Sequence, residues 1–123
     1  MAAPNLISAT TINGKTSGSN LTSTSATTVL NNASASGKCL KVNTLLASNY
    51  TTSAANITVS WNNAANISGT SFPLVGNVSV PANSTLNIID KTSQIYLEEN
   101  QSLGATAGTA NAIIITCSYE DIS

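Results

Sequence analysis

From residue 55 to residue 62 apolar and polar side chains alternate: Ile57, Val59 and Trp61 fall on one side of an extended chain, Thr58, Ser60 and Asn62 on the other. A period of two marks a half-buried β-strand, because successive side chains leave a strand on opposite faces. Similar Thr-, Val- and Ile-rich runs recur along the chain, broken about every 8 to 12 residues by Gly, Pro, Asn or Ser. No helix of useful length is visible. The chain therefore has to fold as a sandwich or barrel.

Read this way, the expected strands are residues 5–13, 26–31, 37–48, 55–62, 72–80, 85–89, 94–98, 102–107 and 111–119. Asn13-Gly14 suits a tight turn, since both residues tolerate positive φ. In 37–48, Leu40, Val42 and Leu46 are expected to point inward, with Lys41 and Asn43 on the other face. Trp61 is expected in the core. Pro81 closes 72–80, because proline donates nothing to a ladder. In the last run Ile113, Ile115, Cys117 and Tyr119 share one face. Residues 14–25 and 62–71 are rich in Ser, Thr, Asn and Gly without firm periodicity, and are read as loops or ragged edge strands. No internal repeat and no linker divides the chain, so residues 1–123 are expected to form one domain. The expected fold class is all-β: a two-sheet antiparallel β-sandwich, jelly-roll-like, with 8–9 strands.

Composition narrows the function. Only 7% of the 123 residues are charged and the formal charge is −1. Four lysines and no arginine supply no basic stripe to displace counterions from a phosphate backbone, so no nucleic-acid partner is expected. The longest apolar run, Ile113-Ile114-Ile115, is far short of the roughly 20 residues that cross a bilayer, and no membrane partner is expected. The segment Met-Ala-Ala-Pro-Asn-Leu-Ile lacks the charged and apolar regions of a secretory signal, so synthesis in a cytoplasm is the expectation.

Histidine is absent, which removes the usual general base and the commonest metal ligand. The carboxylates are Asp90, Glu98, Glu99, Glu120 and Asp121. Glu98-Glu99 and Glu120-Asp121 read as solvated strand ends rather than as a glycosidase pair, because adjacent strand residues face opposite ways. Cys39 and Cys117 lack Cys-x-x-Cys spacing and no Asp-rich loop announces calcium, so no metal and no cofactor is expected. The two thiols read as buried, reduced, small hydrophobes in segments able to face each other across a core. Gly14-Lys15-Thr16 imitates a phosphate-binding loop but lacks its upstream glycine. Asn-x-Ser/Thr triplets at Asn20, Asn32, Asn49, Asn56, Asn66, Asn77, Asn83 and Asn100 follow from a composition this rich in the three residues. No enzyme is expected.

From residue 78 the chain runs Val-Ser-Val-Pro-Ala-Asn-Ser-Thr-Leu-Asn-Ile-Ile-Asp-Lys, later Ile-Tyr-Leu-Glu-Glu-Asn-Gln-Ser-Leu, and ends Cys-Ser-Tyr-Glu-Asp-Ile-Ser. With the opening Met-Ala-Ala-Pro-Asn and the early Gly-Lys-Thr, this resembles small virion proteins of tailed bacteriophages, including cyanophages. Met1 to Asn5, Gly14 to Thr16, Val80 to Ala82, Tyr96 to Glu99 and Ser118 to Ile122 carry the resemblance, whereas residues 17–75 match only in pattern. Asn100 stands where similar proteins often have Gly or Asp, and Asp121 where they have a second Glu. The resemblance implies a structural protein of the virion without catalytic residues.

The expected role is a capsid decoration or cement protein on the outer surface of a phage head. Its expected partners are the major capsid protein and itself, as a homotrimer or another homo-oligomer. Met1, Ala2, Ala3, Pro4, Asn5 and Leu6 are the candidate contact arm, extending to a neighbour's sheet edge, and Tyr96 is the candidate exposed aromatic contact. The alternatives are a tail, neck or fibre component, and a glycan- or receptor-binding module using Tyr50, Trp61 or residues 62–71.

Overall fold

The computed structural model describes residues 6–123. After a 3-10 turn at Leu6–Ser8 the described chain forms β1 (Ile12–Asn20), β2 (Thr27–Asn32), β3 (Cys39–Asn49), β4 (Ala55–Asn62), β5 (Ser71–Val80), β6 (Thr85–Ile89), β7 (Ile95–Leu97), β8 (Gln101–Ala107) and β9 (Ile113–Ile122). Their pairing is nested and antiparallel throughout: β1 with β9, β2 with β8, β3 with β6 and β7, β4 with β5. The chain is thus one long hairpin bent at the 63–70 loop. Rolling it up sets β9 beside β3 and β8 beside β4. One sheet then reads β1-β9-β3-β6, with β7 also on β3, and the other β2-β8-β4-β5. This is the jelly-roll form of the sandwich expected from the strand cadence.

The core between the sheets is aliphatic. Val42, Leu45 and Ala47 of β3, Ile113, Ile115 and Cys117 of β9, Ile57 and Val59 of β4 and Leu103 of β8 are fully buried. Each large side chain among them contributes about 1.5–3 kcal/mol relative to exposure. Trp61 is half-buried at the rim of this core, not inside it. It stacks at 5.1 Å on Phe72 of the neighbouring β5, and its indole N–H donates to Gln101 Oε1 at 3.3 Å. A rim position lets the ring be covered while its N–H finds a partner.

Several local expectations are corrected. Asn13-Gly14 makes no turn: β1 runs through it, and the two residues pair with Asp121 and Glu120. Of the two readings of segment 14–25, loop or edge strand, the structure makes residues 14–20 an edge strand exposed along most of its length. In β3 the register slips between Val42 and Thr44. The extra residue reverses the alternation, so Leu45 and Ala47 face the core while Leu46 is half-buried on the outside. Strand β9 continues past Tyr119 to Ile122. Cys39 and Cys117 do not face each other across the core. Both lie in the five-stranded sheet, and Cys117 sits opposite Leu45, six positions along β3 from Cys39. That is roughly 20 Å of strand, against the 7 Å or so a disulfide tolerates. Both are free and buried. Burial pushes the Cys117 thiol up to about 11. Burial, then the charge of Glu98, raises that of Cys39.

The asparagines do structural work. Asn66, Asn77, Asn83, Asn100 and Asn111 all adopt positive φ between 54° and 61°, the left-handed region that asparagine enters more readily than most residues. Asn32 and Asn49, each 2% exposed, close two loops from inside. Asn32 Nδ2 donates to the carbonyls of Lys38 and Leu97 at 2.9 and 3.0 Å. Asn49 Nδ2 donates to those of Ser53 and Val80 at 2.8 and 3.0 Å, while its Oδ1 accepts from the N–H and hydroxyl of Thr51.

The 63–70 loop is pinned onto the outer face of the four-stranded sheet. The N–H groups of Ala65, Asn66 and Ile67 donate to Asn100 Oδ1, Asn31 Oδ1 and Ser102 Oγ at 3.1, 2.7 and 2.8 Å. These bonds hold Ile67 at φ 50°, a conformation that costs a β-branched residue about 1–3 kcal/mol. Its side chain rests on Gly104, where a Cβ would come within 2.7 Å of Ile67 Cγ2. Gly104→Ala is therefore expected to lower stability by about 1–3 kcal/mol through overpacking. Gly14→Ala, where a Cβ meets nothing within 4 Å, should stay within about 0.5 kcal/mol of the parent. Urea midpoints at constant m-value measure both, and equal effects would contradict this packing.

Candidate interaction surface

The register places charge on one pole of the sandwich. Lys15, Tyr119, Val42 and Ile95 lie in one cross-strand row; Gly14, Glu120, Lys41 and Tyr96 lie in the next. Lys38 precedes β3 and Glu98-Glu99 follows β7 at the same end. Seven of the nine charged side chains in the chain thus gather at one pole, and the other two, Asp90 and Lys91, sit together in the β6–β7 connection. The loops at the opposite pole, 21–26, 50–54, 81–84 and 108–112, contain no charged residue.

At the charged pole the sheets part. An open cleft of about 300 Å³ lies between them, with Lys15, Tyr119, Asp121 and Leu40 on one wall and Leu30, Asn31, Asn32 and Ser36 among the residues opposite. Asp121 is not a solvated strand end: its side chain is 9% exposed. Its Oδ2 accepts from Lys15 Nζ at 3.2 Å and from Lys38 Nζ at 3.3 Å. Burial is the strongest single influence on this carboxyl and opposes ionisation. The hydrogen bonds and charges of the two lysines together outweigh it and hold Asp121 below its ordinary value. Glu99 is likewise only half-exposed, because the 33–38 loop folds against it and the Gly37 N–H donates to its Oε2 at 3.2 Å. Glu98 is exposed as expected. Lys41 and Glu120 form a looser pair at 4.0 Å on the outer face.

Tyr96 is 46% exposed on this outer face, in register with Lys41. Met1, Ala2, Ala3, Pro4 and Asn5 lie outside the described residues, and of Leu6 only the backbone is described. The described chain begins at the charged pole, where the N–H groups of Thr10 and Thr11 donate to the Ser123 carbonyl, both at 2.9 Å. The structure therefore brings the root of the candidate arm and Tyr96 to one end. It does not bring Tyr50 there: that ring is exposed near the neutral pole, its hydroxyl donating to Asn20 Oδ1 at 3.3 Å.

Two further features stand apart from this pole, the second at residues 62–71, named above as an alternative glycan contact. Edge strand β5 exposes Phe72, Leu74 and Val78, but Pro73 and two register breaks, with Asn77 at positive φ, interrupt it as a template for straight strand addition. On the outer face of the four-stranded sheet, Ser60, Asn62, Ser71, Ile67 and Gly69 help line an uncharged groove of about 250 Å³. Among the described residues no three His, Cys, Asp or Glu side chains are grouped to hold a metal, and no helix is long and apolar enough to cross a membrane. No family model, curated protein or solved structure matches the chain.

The convergence of Lys15, Lys38 and Asp121 escapes motif reading, because it joins residues 83 and 106 positions apart. One signal was present. Ile113, Ile115, Cys117 and Tyr119 share a face, and one further step of that alternation puts Asp121 on it.

The depressed Asp121 carboxyl gives a pH dependence with a definite sign. Its folded value lies below the unfolded one, so the stabilisation is present above about pH 4 and is lost as pH falls through the folded value. Asp121→Asn is expected to cost about 1–2 kcal/mol at neutral pH, and the parent's advantage should vanish towards pH 2. Urea melts of both proteins across this range provide the check; an advantage that persists at the acid end would refute the assignment.

Proposed function

We propose that this chain is a virion structural protein, a decoration or cement protein that coats the outer surface of a tailed-phage head. In this reading copies pack side by side through their neutral flanks, and each sets its charged pole on the major capsid protein. The observation that carries the proposal is the segregation of charge. A low-charge flank lets like copies approach without repulsion and form wet, hydrogen-bonded contacts, while clustered charges at one end fix the orientation and register of docking. The resemblance at both chain ends to small phage virion proteins supports the same reading. So does the jelly roll, a frequent architecture of viral capsid domains, although fold alone assigns no function.

A cement protein acts by linkage. It binds the assembled shell in preference to separated subunits, and contacts to several subunits at once multiply weak affinities into avidity. A second reading draws on the exposed ring of Tyr96 beside Lys41: an exposed aromatic face next to a polar group suits a sugar, and the jelly roll also houses lectin domains.

Copy number separates the readings. Quantitative mass spectrometry of purified particles should give a ratio to the major capsid protein near one, or a simple fraction such as one third. A few copies per hundred would shift the chain to the tail, neck or fibres. Its absence from particles would overturn the virion reading and favour the glycan module.

A further inference from the structure

The cleft at the charged pole is unbalanced. Two ammonium groups, Lys15 and Lys38, converge on a single buried carboxylate, Asp121, and both bond the same oxygen. Each ammonium has three N–H donors and makes one hydrogen bond among the described residues. Both side chains line the cleft and are about half exposed, 47% and 45%, so the remaining donors are open to an entering group. Asp121 fixes the separation of the two positive charges. Leu40 and Tyr119 on one wall and Leu30 on the other add apolar surface to the cleft.

We infer that this cleft is a socket for one acidic side chain, Asp or Glu, presented by a neighbouring protein. The entering carboxylate would complete a four-membered array in which positive and negative groups alternate. Each ammonium would then bridge two carboxylates through charge-assisted hydrogen bonds, and the net charge of the cleft would fall from plus one to zero. Stoichiometry selects a monoanion. A doubly charged phosphate or sulfate would overshoot neutrality and place excess negative charge against Asp121. Size agrees with a side chain rather than a larger ligand, because about 300 Å³ lies at the lower bound of small-molecule pockets. The methylenes of the entering residue would lie against Leu30, Leu40 and Tyr119. The choice of a protein as donor rests on the assembly reading above; the socket chemistry itself does not.

The test uses the isolated full-length protein labelled with 15N, titrated with N-acetyl-L-glutamic acid α-methylamide, which carries one carboxylate. Saturable amide shifts are expected at residues 15, 31–38 and 119–121. The uncharged glutamine analogue should give none. Lys15→Met and Lys38→Met should each weaken binding at least about tenfold, the equivalent of one charged hydrogen bond, whereas Lys91→Met should leave it unchanged. Spectra of the variants confirm the fold, since both lysines are exposed. Shifts spread over all four lysines without saturation, or an equal response to the glutamine analogue, would overturn the socket. Saturation by inorganic sulfate at least as tight as by the glutamate derivative would overturn the monoanion selectivity. A positive titration for a protein absent from particles would keep the socket and discard the virion reading. A negative titration for a protein abundant on heads would do the reverse.

Discussion

Strand β9 lies between β1 and β3 in the larger sheet. The last strand of the chain is therefore the one that joins its first to the rest, and the sheet has no continuous ladder without it. Its inward side chains, Ile113, Ile115 and Cys117, also form the middle of the core. Its final turns of alternation carry Asp121 to the point where Lys15, from β1, and Lys38, from the approach to β3, can reach it. Fold closure and charge placement thus depend on the same ten residues. Pairing of such distant segments makes the topology slow to form relative to local folds, and it can be completed only after the C-terminal strand exists.

A small sandwich with so few charges still has to satisfy its buried polar groups. Here asparagine and serine side chains do most of it; among the described residues Glu99 Oε1 is left buried without a partner. Asn32 and Asn49 tie loop carbonyls together from inside, and Ser102 bridges the Ile67 N–H and the Ala64 carbonyl. Asparagines at positive φ turn the chain where glycine would cost more backbone entropy. The neutral, amide-rich composition is therefore part of how the loops are held. Most loop closures need no charge, Glu99 on the 33–38 loop and Asp90 on its own turn being charged ones, and seven of the nine charged side chains gather at one pole.

Much of this was legible in the sequence, and the misses have physical causes. Strand 55–62 stood out, because one of its faces meets the core and the period of two is strong. Segment 12–20 did not, since an exposed edge strand of sequence Ile-Asn-Gly-Lys-Thr-Ser-Gly-Ser-Asn buries too little for any period to be selected. The inward face of β3 was misassigned beyond Asn43 because a bulge adds one residue that no local signal announces. Trp61 was expected in the core on its alternation alone, but it sits at the end of β4, where the opposing sheet no longer covers it. The candidate site was the least readable, because it is assembled by register between opposite ends of the chain. The root of the arm and Tyr96 do fall at its pole, whereas Lys15 and Asp121 lie in separate stretches at opposite ends of the chain and Lys38 in neither, so nothing in the sequence joins the three.

The central claim is that the molecule engages its partner by the charged pole and its own copies by neutral flanks. The distribution of lysines allows this to be measured directly: Lys15, Lys38 and Lys41 are at the pole, and Lys91 is on the side. Amine-reactive cross-linking of intact particles, read by mass spectrometry, should join the three polar lysines to a different protein and Lys91 only to further copies of this chain, if to anything. Cross-links to the other protein that run chiefly through Lys91, with the polar lysines unmodified by contact, would contradict the account.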